Sequence, residues 1–258
     1  LTRASAAGFT GGLFALFIPN SAAGEELSGG QPPSYEDASV ICADMLALAD
    51  EMVARFGDNI AKCLTVSDIL AAQDACKIAM VLHIEGAEMI SADCHEIEML
   101  YQRGIRSLGP LWSRPNLFGE GVPLQFPGSP DQGDGLSDAG KRLVRTCNHY
   151  GIMLDLSHLN EKGFWDIAKL SDKPLVATHS NVHRLCPSPR NLTDRQLDAI
   201  AESGGIVGLC FATGYLRTDG EKNPDTSLAL LVQHCDALIE TLGEGGVALG
   251  SDFDGACI

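Results

Sequence analysis

Apolar residues in this chain fall into two alternating arrangements. Short runs at 11–18 (GGLFALFI), 78–84 (IAMVLHI), 105–111 (IRSLGPL), 151–156 (GIMLDL), 174–178 (PLVAT), 205–211 (GIVGLCF) and 246–250 (GVALG) predict strands. Between them lie amphipathic stretches at 36–56, 193–203 and 226–242. The last two carry apolar residues at the three-and-four spacing of a surface helix. Asn191 or Thr193 would cap the helix over 193–203, and Gly204-Gly205 would stop it. Repeated strand–helix units predict a parallel sheet covered by helices.

Seven strands are one short of a closed (β/α)8 barrel. A doubly wound sheet usually carries a glycine-rich phosphate loop after its first strand, and neither GxGxxG nor GxxxxGK[ST] occurs here. The expected fold is therefore α/β, a (β/α)8 TIM-type barrel, with residues 1–258 as one domain. Segment 113–135 (SRPNLFGEGVPLQFPGSPDQGDG) has no periodicity and follows a strand, which makes it a candidate active-site wall.

Composition narrows the partners. The 258 residues carry a net charge of −16, with no basic run, which argues against nucleic acid or an anionic membrane surface as a partner. The longest apolar run, 11–19, is too short to cross a bilayer. Nine scattered cysteines, none in CxxC spacing, indicate free thiols in a reducing compartment, hence a cytoplasmic location.

In such a barrel the active site gathers at the C-terminal ends of the strands. The ionisable residues there are Glu85, His158, His179 and Asp252. Two imidazoles and a carboxylate able to bridge suit zinc, whose bound water becomes a hydroxide nucleophile near neutral pH. Any one of these groups could instead cap a helix or satisfy a loop. Asp155, inside its strand, suits internal hydrogen bonds, and His83, on the same strand face as Glu85, suits a satisfied core histidine. His95, His149, His183 and His234 suit surface or capping positions, and Cys186 suits a small buried hydrophobe. No GxSxG elbow supports a serine hydrolase.

The segments GGLFALFIP, IEGAE (84–88), DLSH (155–158), THS (178–180), RN followed by LTD (190–194) and GSDFDG (250–255) occur in order over almost the whole chain. Together they resemble the membrane (renal) dipeptidase family, peptidase M19, among the amidohydrolase-like barrels. The resemblance implies zinc-dependent hydrolysis of dipeptides, including those with a C-terminal D-residue, by a metal-bound hydroxide at a two-zinc site. Glu85 matches the carboxylate that bridges the ions. His158 and His179 match the pair completing the second ion's shell, and Asp252 matches the aspartate that passes the proton. Arg190 matches the arginine gripping the substrate carboxylate; a salt bridge to Asp194 is the alternative for it. Family members often form homodimers.

Two departures from the family pattern stand out. Its first-strand His-x-Asp has no counterpart, which implies that the barrel's first strand and last helix are missing from this chain, GGLFALFIP corresponding to the second strand. Trp112 stands where better-known members place a substrate-contacting histidine, so it is assigned to substrate binding. The remaining alternatives are a barrel amidohydrolase acting on a cyclic amide, with Trp112 stacking a ring, and a non-catalytic family member.

Overall fold

The computed structural model describes residues 2–20 and 31–256, and Cys257 lies outside them. In chain order the described elements are α1 (Thr2–Ala6), β1 (Gly11–Phe17), α2 (Tyr35–Phe56), β2 (Ile60–Lys62), α3 (Val66–Asp74), β3 (Ile78–Glu85), α4 (Glu96–Gln102), β4 (Ile105–Gly109), β5 (Pro115–Asn116), β6 (Gly119–Glu120), α5 (Asp138–Tyr150), β7 (Met153–Leu154), α6 (Glu161–Leu170), β8 (Val176–Ser180), α7 (Asp194–Glu202), β9 (Ile206–Cys210), α8 (Leu228–Leu242) and β10 (Val247–Gly250). Strand–helix alternation with parallel pairing makes this an α/β fold, as the apolar pattern predicts. None of the described helices is long and apolar enough to cross a membrane.

The chain divides into two compact units. The first comprises residues 1–109 and 146–153 and is built on β3, whose Ile78, Ala79, Met80, Leu82 and Ile84 are all buried. A continuous apolar run of this kind suits a strand covered on both faces. β1 lies parallel to β3 from Gly11↔Ala79 to Phe17↔Glu85. β2 pairs with the start of β3 and β4 with its end, both in parallel. Close approach of β1 requires glycine, because a Cβ on Gly11 would sit 2.8 Å from that of Ala79. The helices are fixed locally: Ser34 caps α2 through Asp37 N–H, and Thr65 with Asp68 forms a capping box on α3.

The second unit comprises residues 110–145 and 154–258, with the parallel sheet β10-β9-β8 at its centre. Asp155, immediately after β7, makes a parallel bridge with Val176 at the start of β8. Register shifts between β8 and β9 at Ala177/Ser180, where Thr178, His179 and Ser180 lie. The strands crowd there: a Cβ on Gly208 would fall 1.8 Å from the Thr178 carbonyl oxygen, so residue 208 has to be glycine. α7 begins with a Thr193–Gln196 capping box, and Gly204 follows it at φ +67°, as expected from sequence. The 113–135 loop contains the β5–β6 hairpin. Asn160, the cap of α6, donates from its amide to the carbonyls of Gln132 and Asp134 and so anchors the loop's end.

Candidate metal centre

Four short hydrogen bonds in the second unit bring two imidazoles together. Thr178 N–H and Ser157 N–H both donate to Asp155 Oδ1, at 2.8 and 3.0 Å. The Thr178 hydroxyl donates to Asp155 Oδ2 at 2.6 Å and lies 2.8 Å from His179 Nδ1. Asp155 therefore makes the internal bonds expected of it, and they define the end of β8. His158 stands at φ +67°, in the left-handed region that β-carbon-bearing residues seldom occupy. Its Nδ1 lies 2.8 Å from Ser113 Oγ. With both Nδ1 atoms engaged by hydroxyls, the two Nε2 atoms converge to 3.0 Å, and both side chains are buried. A buried pair of imidazoles, each held by a partner behind it, fits metal ligation through Nε2.

Trp112 and Arg190 flank the pair within the same unit. The buried Trp112 ring is centred 5.9 Å from that of His158, and the Arg114 guanidinium carbon lies 5.1 Å from the Trp112 ring centroid. Arg190 is 3% exposed and donates from Nη2 to the His179 carbonyl at 3.1 Å. Its Nε–H is buried without a hydrogen-bond partner among the described residues. The alternative ion pair with Asp194 is not formed; Arg184 occupies that carboxylate at 2.7 Å. Asp252 follows β10, half-buried, at φ +56°.

In the first unit, Glu85 is the last residue of β3 and half-buried. His83 is buried with Nδ1 2.8 Å from Ser107 Oγ, as suits a core histidine. A further acidic and imidazole group, Asp93, His95 and Glu96, lies on the surface. There His95 is 2.8 Å from Asp93, and its pKa is raised first by that bond.

The sequence reading of His234 needs correction. It is neither a surface nor a capping group but 1% exposed: Nδ1 accepts from Val182 N–H at 3.1 Å, and Nε2–H donates to Leu216 C=O at 3.1 Å. Burial lowers its pKa below the ordinary histidine range. Because the folded value is the lower one, the unfolded chain takes the proton first as pH falls. The stability contributed by neutral His234 is complete above the unfolded value of about 6.5 and is lost as pH drops through the folded one. Urea midpoints measured between about pH 5 and 8 should therefore fall on acidification, and fall less in His234→Gln. Equal slopes would exclude His234 as the source.

A family model described as "Membrane dipeptidase (Peptidase family M19)" matches residues 1–258. The chain belongs to peptidase family M19. This M19 chain is 46% identical to a metallopeptidase from Rhodobacter sphaeroides solved with a phosphinate mimic of the dipeptide L-Ala-D-Ala; the match has a TM-score of 0.95 and covers 100% of this chain and 77% of that one. A solved M19 dipeptidase is 47% identical, with a TM-score of 0.94, over 100% of this chain and 75% of that one. An uncharacterized protein in the pqqA 5' region of Klebsiella pneumoniae is 48% identical over 210 residues, which is 81% of this chain and 78% of that protein. Metallo-dipeptidase is accordingly the enzyme class of this M19 chain.

Sequence reasoning missed the hydroxyls behind the imidazoles. Ser113 and Thr178 were visible only as neighbours of Trp112 and His179, and one signal was available: Thr178 precedes His179 at a strand end, as Ser157 precedes His158.

Proposed function

We propose that this M19 chain hydrolyses dipeptides, including those with a C-terminal D-residue, with zinc as its metal and two ions in the site. The observation that carries the reading is the buried His158–His179 pair with converging Nε2 atoms. Glu85, His158 and His179 would hold the metal, and one carboxylate with two imidazoles is a donor set that suits zinc. When bound, the ions polarise the scissile carbonyl and lower the pKa of the attacking water.

The protein's own groups do the rest. Arg190 holds the substrate's terminal carboxylate, and its unpartnered Nε–H supplies a donor aimed for an incoming acceptor. Asp252 moves the proton from the attacking water to the leaving amine. Trp112 forms an apolar wall beside His158. The parallel strands are read as parts of one (β/α)8 barrel in a single domain. Homodimerisation and a cytoplasmic location belong to the same reading, the latter supported by eight free cysteines among the described residues.

Elemental analysis of the dialysed protein, followed by a panel of dipeptides beside hydantoins and lactams, tests the proposal. Bound zinc with turnover of dipeptides alone is the expected result. Turnover confined to the cyclic amides would replace it with the ring-stacking use of Trp112, and a protein that binds metal but turns over nothing would be a non-catalytic member.

A further inference from the structure

The hydroxyl of Thr178 has one proton, and the structure shows where it goes. Oγ1 donates to the Asp155 carboxylate at 2.6 Å, a charge-assisted bond to a group that only accepts. Oγ1 is also 2.8 Å from His179 Nδ1. With the hydroxyl proton committed to Asp155, the second contact is a hydrogen bond only if Nδ1–H is the donor. His179 is thereby held as the Nδ1–H tautomer, with its lone pair on Nε2. Its main chain is held as well, since His179 N–H donates to Ser157 Oγ at 3.1 Å.

His158 is treated differently. Its Nδ1 meets Ser113 Oγ at 2.8 Å, and its Nε2 lies 3.0 Å from His179 Nε2. With the His179 lone pair on Nε2, that second contact is a hydrogen bond only if His158 carries its proton on Nε2, and Ser113 then donates to Nδ1. The two imidazoles that sequence presents as a matched pair have unequal support. His158 follows the tautomer of its neighbour, whereas His179 is fixed by an acid two bonds behind it.

We propose that Asp155 and Thr178 are positioning residues, an acid–hydroxyl relay that presets His179 for metal ligation through Nε2. The proposal rests on the reading of His179 as a metal ligand. Asp155 also accepts the main-chain N–H groups of Ser157 and Thr178 with its other oxygen, so one carboxylate shapes the end of β8 and sets the ring that projects from it. Outer-shell partners of this kind change metal affinity by roughly 10- to 100-fold.

Nitrogen-15 NMR of histidine-labelled, chelator-treated protein reads the tautomer, and titration with Co2+ alone reads the affinity. The parent protein should show His179 as Nδ1–H and bind Co2+. Thr178→Val should populate both tautomers and bind Co2+ about 10- to 100-fold more weakly. Thr178→Ser, which keeps the hydroxyl, should return both readouts to the parent's. A role confined to stability would lower the melting temperature of Thr178→Val without moving the tautomer. Parent His179 found as Nε2–H, or Thr178→Val binding Co2+ as tightly as the parent, overturns the relay and leaves the metal site standing. A parent protein that does not bind Co2+ overturns the metal site itself, and the relay with it.

Discussion

Glu85→Ala loses both bound metal and dipeptide hydrolysis while remaining folded. Glu85 ends β3 half-buried, so removing its carboxylate leaves the buried Ile78, Ala79, Met80, Leu82 and Ile84 untouched. What disappears is the only anionic donor of the proposed set. Outer-shell changes cost roughly 10- to 100-fold, and loss of a direct ligand should exceed that range. Glu85→Gln keeps the shape and one carbonyl oxygen but not the charge, so it should also bind metal poorly. Elemental analysis and a dipeptide assay on the two variants check this, with circular dichroism confirming the fold. Undiminished turnover in Glu85→Ala would remove Glu85 from the metal site.

Arg190→Met is the second large effect, and it separates substrates by their C-terminus. Truncating one partner of a buried, hydrogen-bonded charge pair costs about 2–5 kcal/mol, which is about 30- to 5,000-fold. For a dipeptide with a free carboxylate, kcat/KM should fall within that range. For its C-terminal amide, already unable to form the ion pair, the fall should be small. Arg190→Lys should not restore the difference, because an ammonium cannot reproduce the planar fork and the Nη2 bond to the His179 carbonyl fixes the guanidinium's place. If Arg190→Met still prefers the free acid over the amide as strongly as the parent does, another group holds the carboxylate.

Legibility from sequence followed burial and length. The strands at β1, β3, β4, β8, β9 and β10 were visible because each overlaps a mainly apolar segment, and parallel pairing followed from the helices between them. β2 is a three-residue strand, Ile60–Lys62, too short to show a period, and it was missed. β7 is only Met153–Leu154, shorter than the 151–156 run predicts, with Asp155 beyond it in a single parallel bridge to Val176. The β5–β6 hairpin lies in the proline- and glycine-rich loop, where turns carry no hydrophobic alternation.

The site divides along similar lines. His158 and His179 stood out as candidates because each follows an apolar run, and the structure does bring their Nε2 atoms together. Their supporting hydroxyls did not stand out, since Ser113 and His158 are far apart in sequence and only folding juxtaposes them. His234 misled for the opposite reason. A histidine on an amphipathic helix usually faces water, yet here it accepts from Val182 N–H, and nothing local in α8 announces that partner.

His158 is held at φ +67°. A non-glycine residue in that conformation costs of order 1–3 kcal/mol, which the surrounding contacts must offset. Glycine or asparagine would sit there more comfortably, but neither brings an imidazole to meet His179. On the proposed reading of His158 as a metal ligand, selection for thermal resistance alone would therefore work against position 158. Directed evolution of this enzyme toward heat should be run with an activity screen at every round, or it will converge on robust, inert proteins.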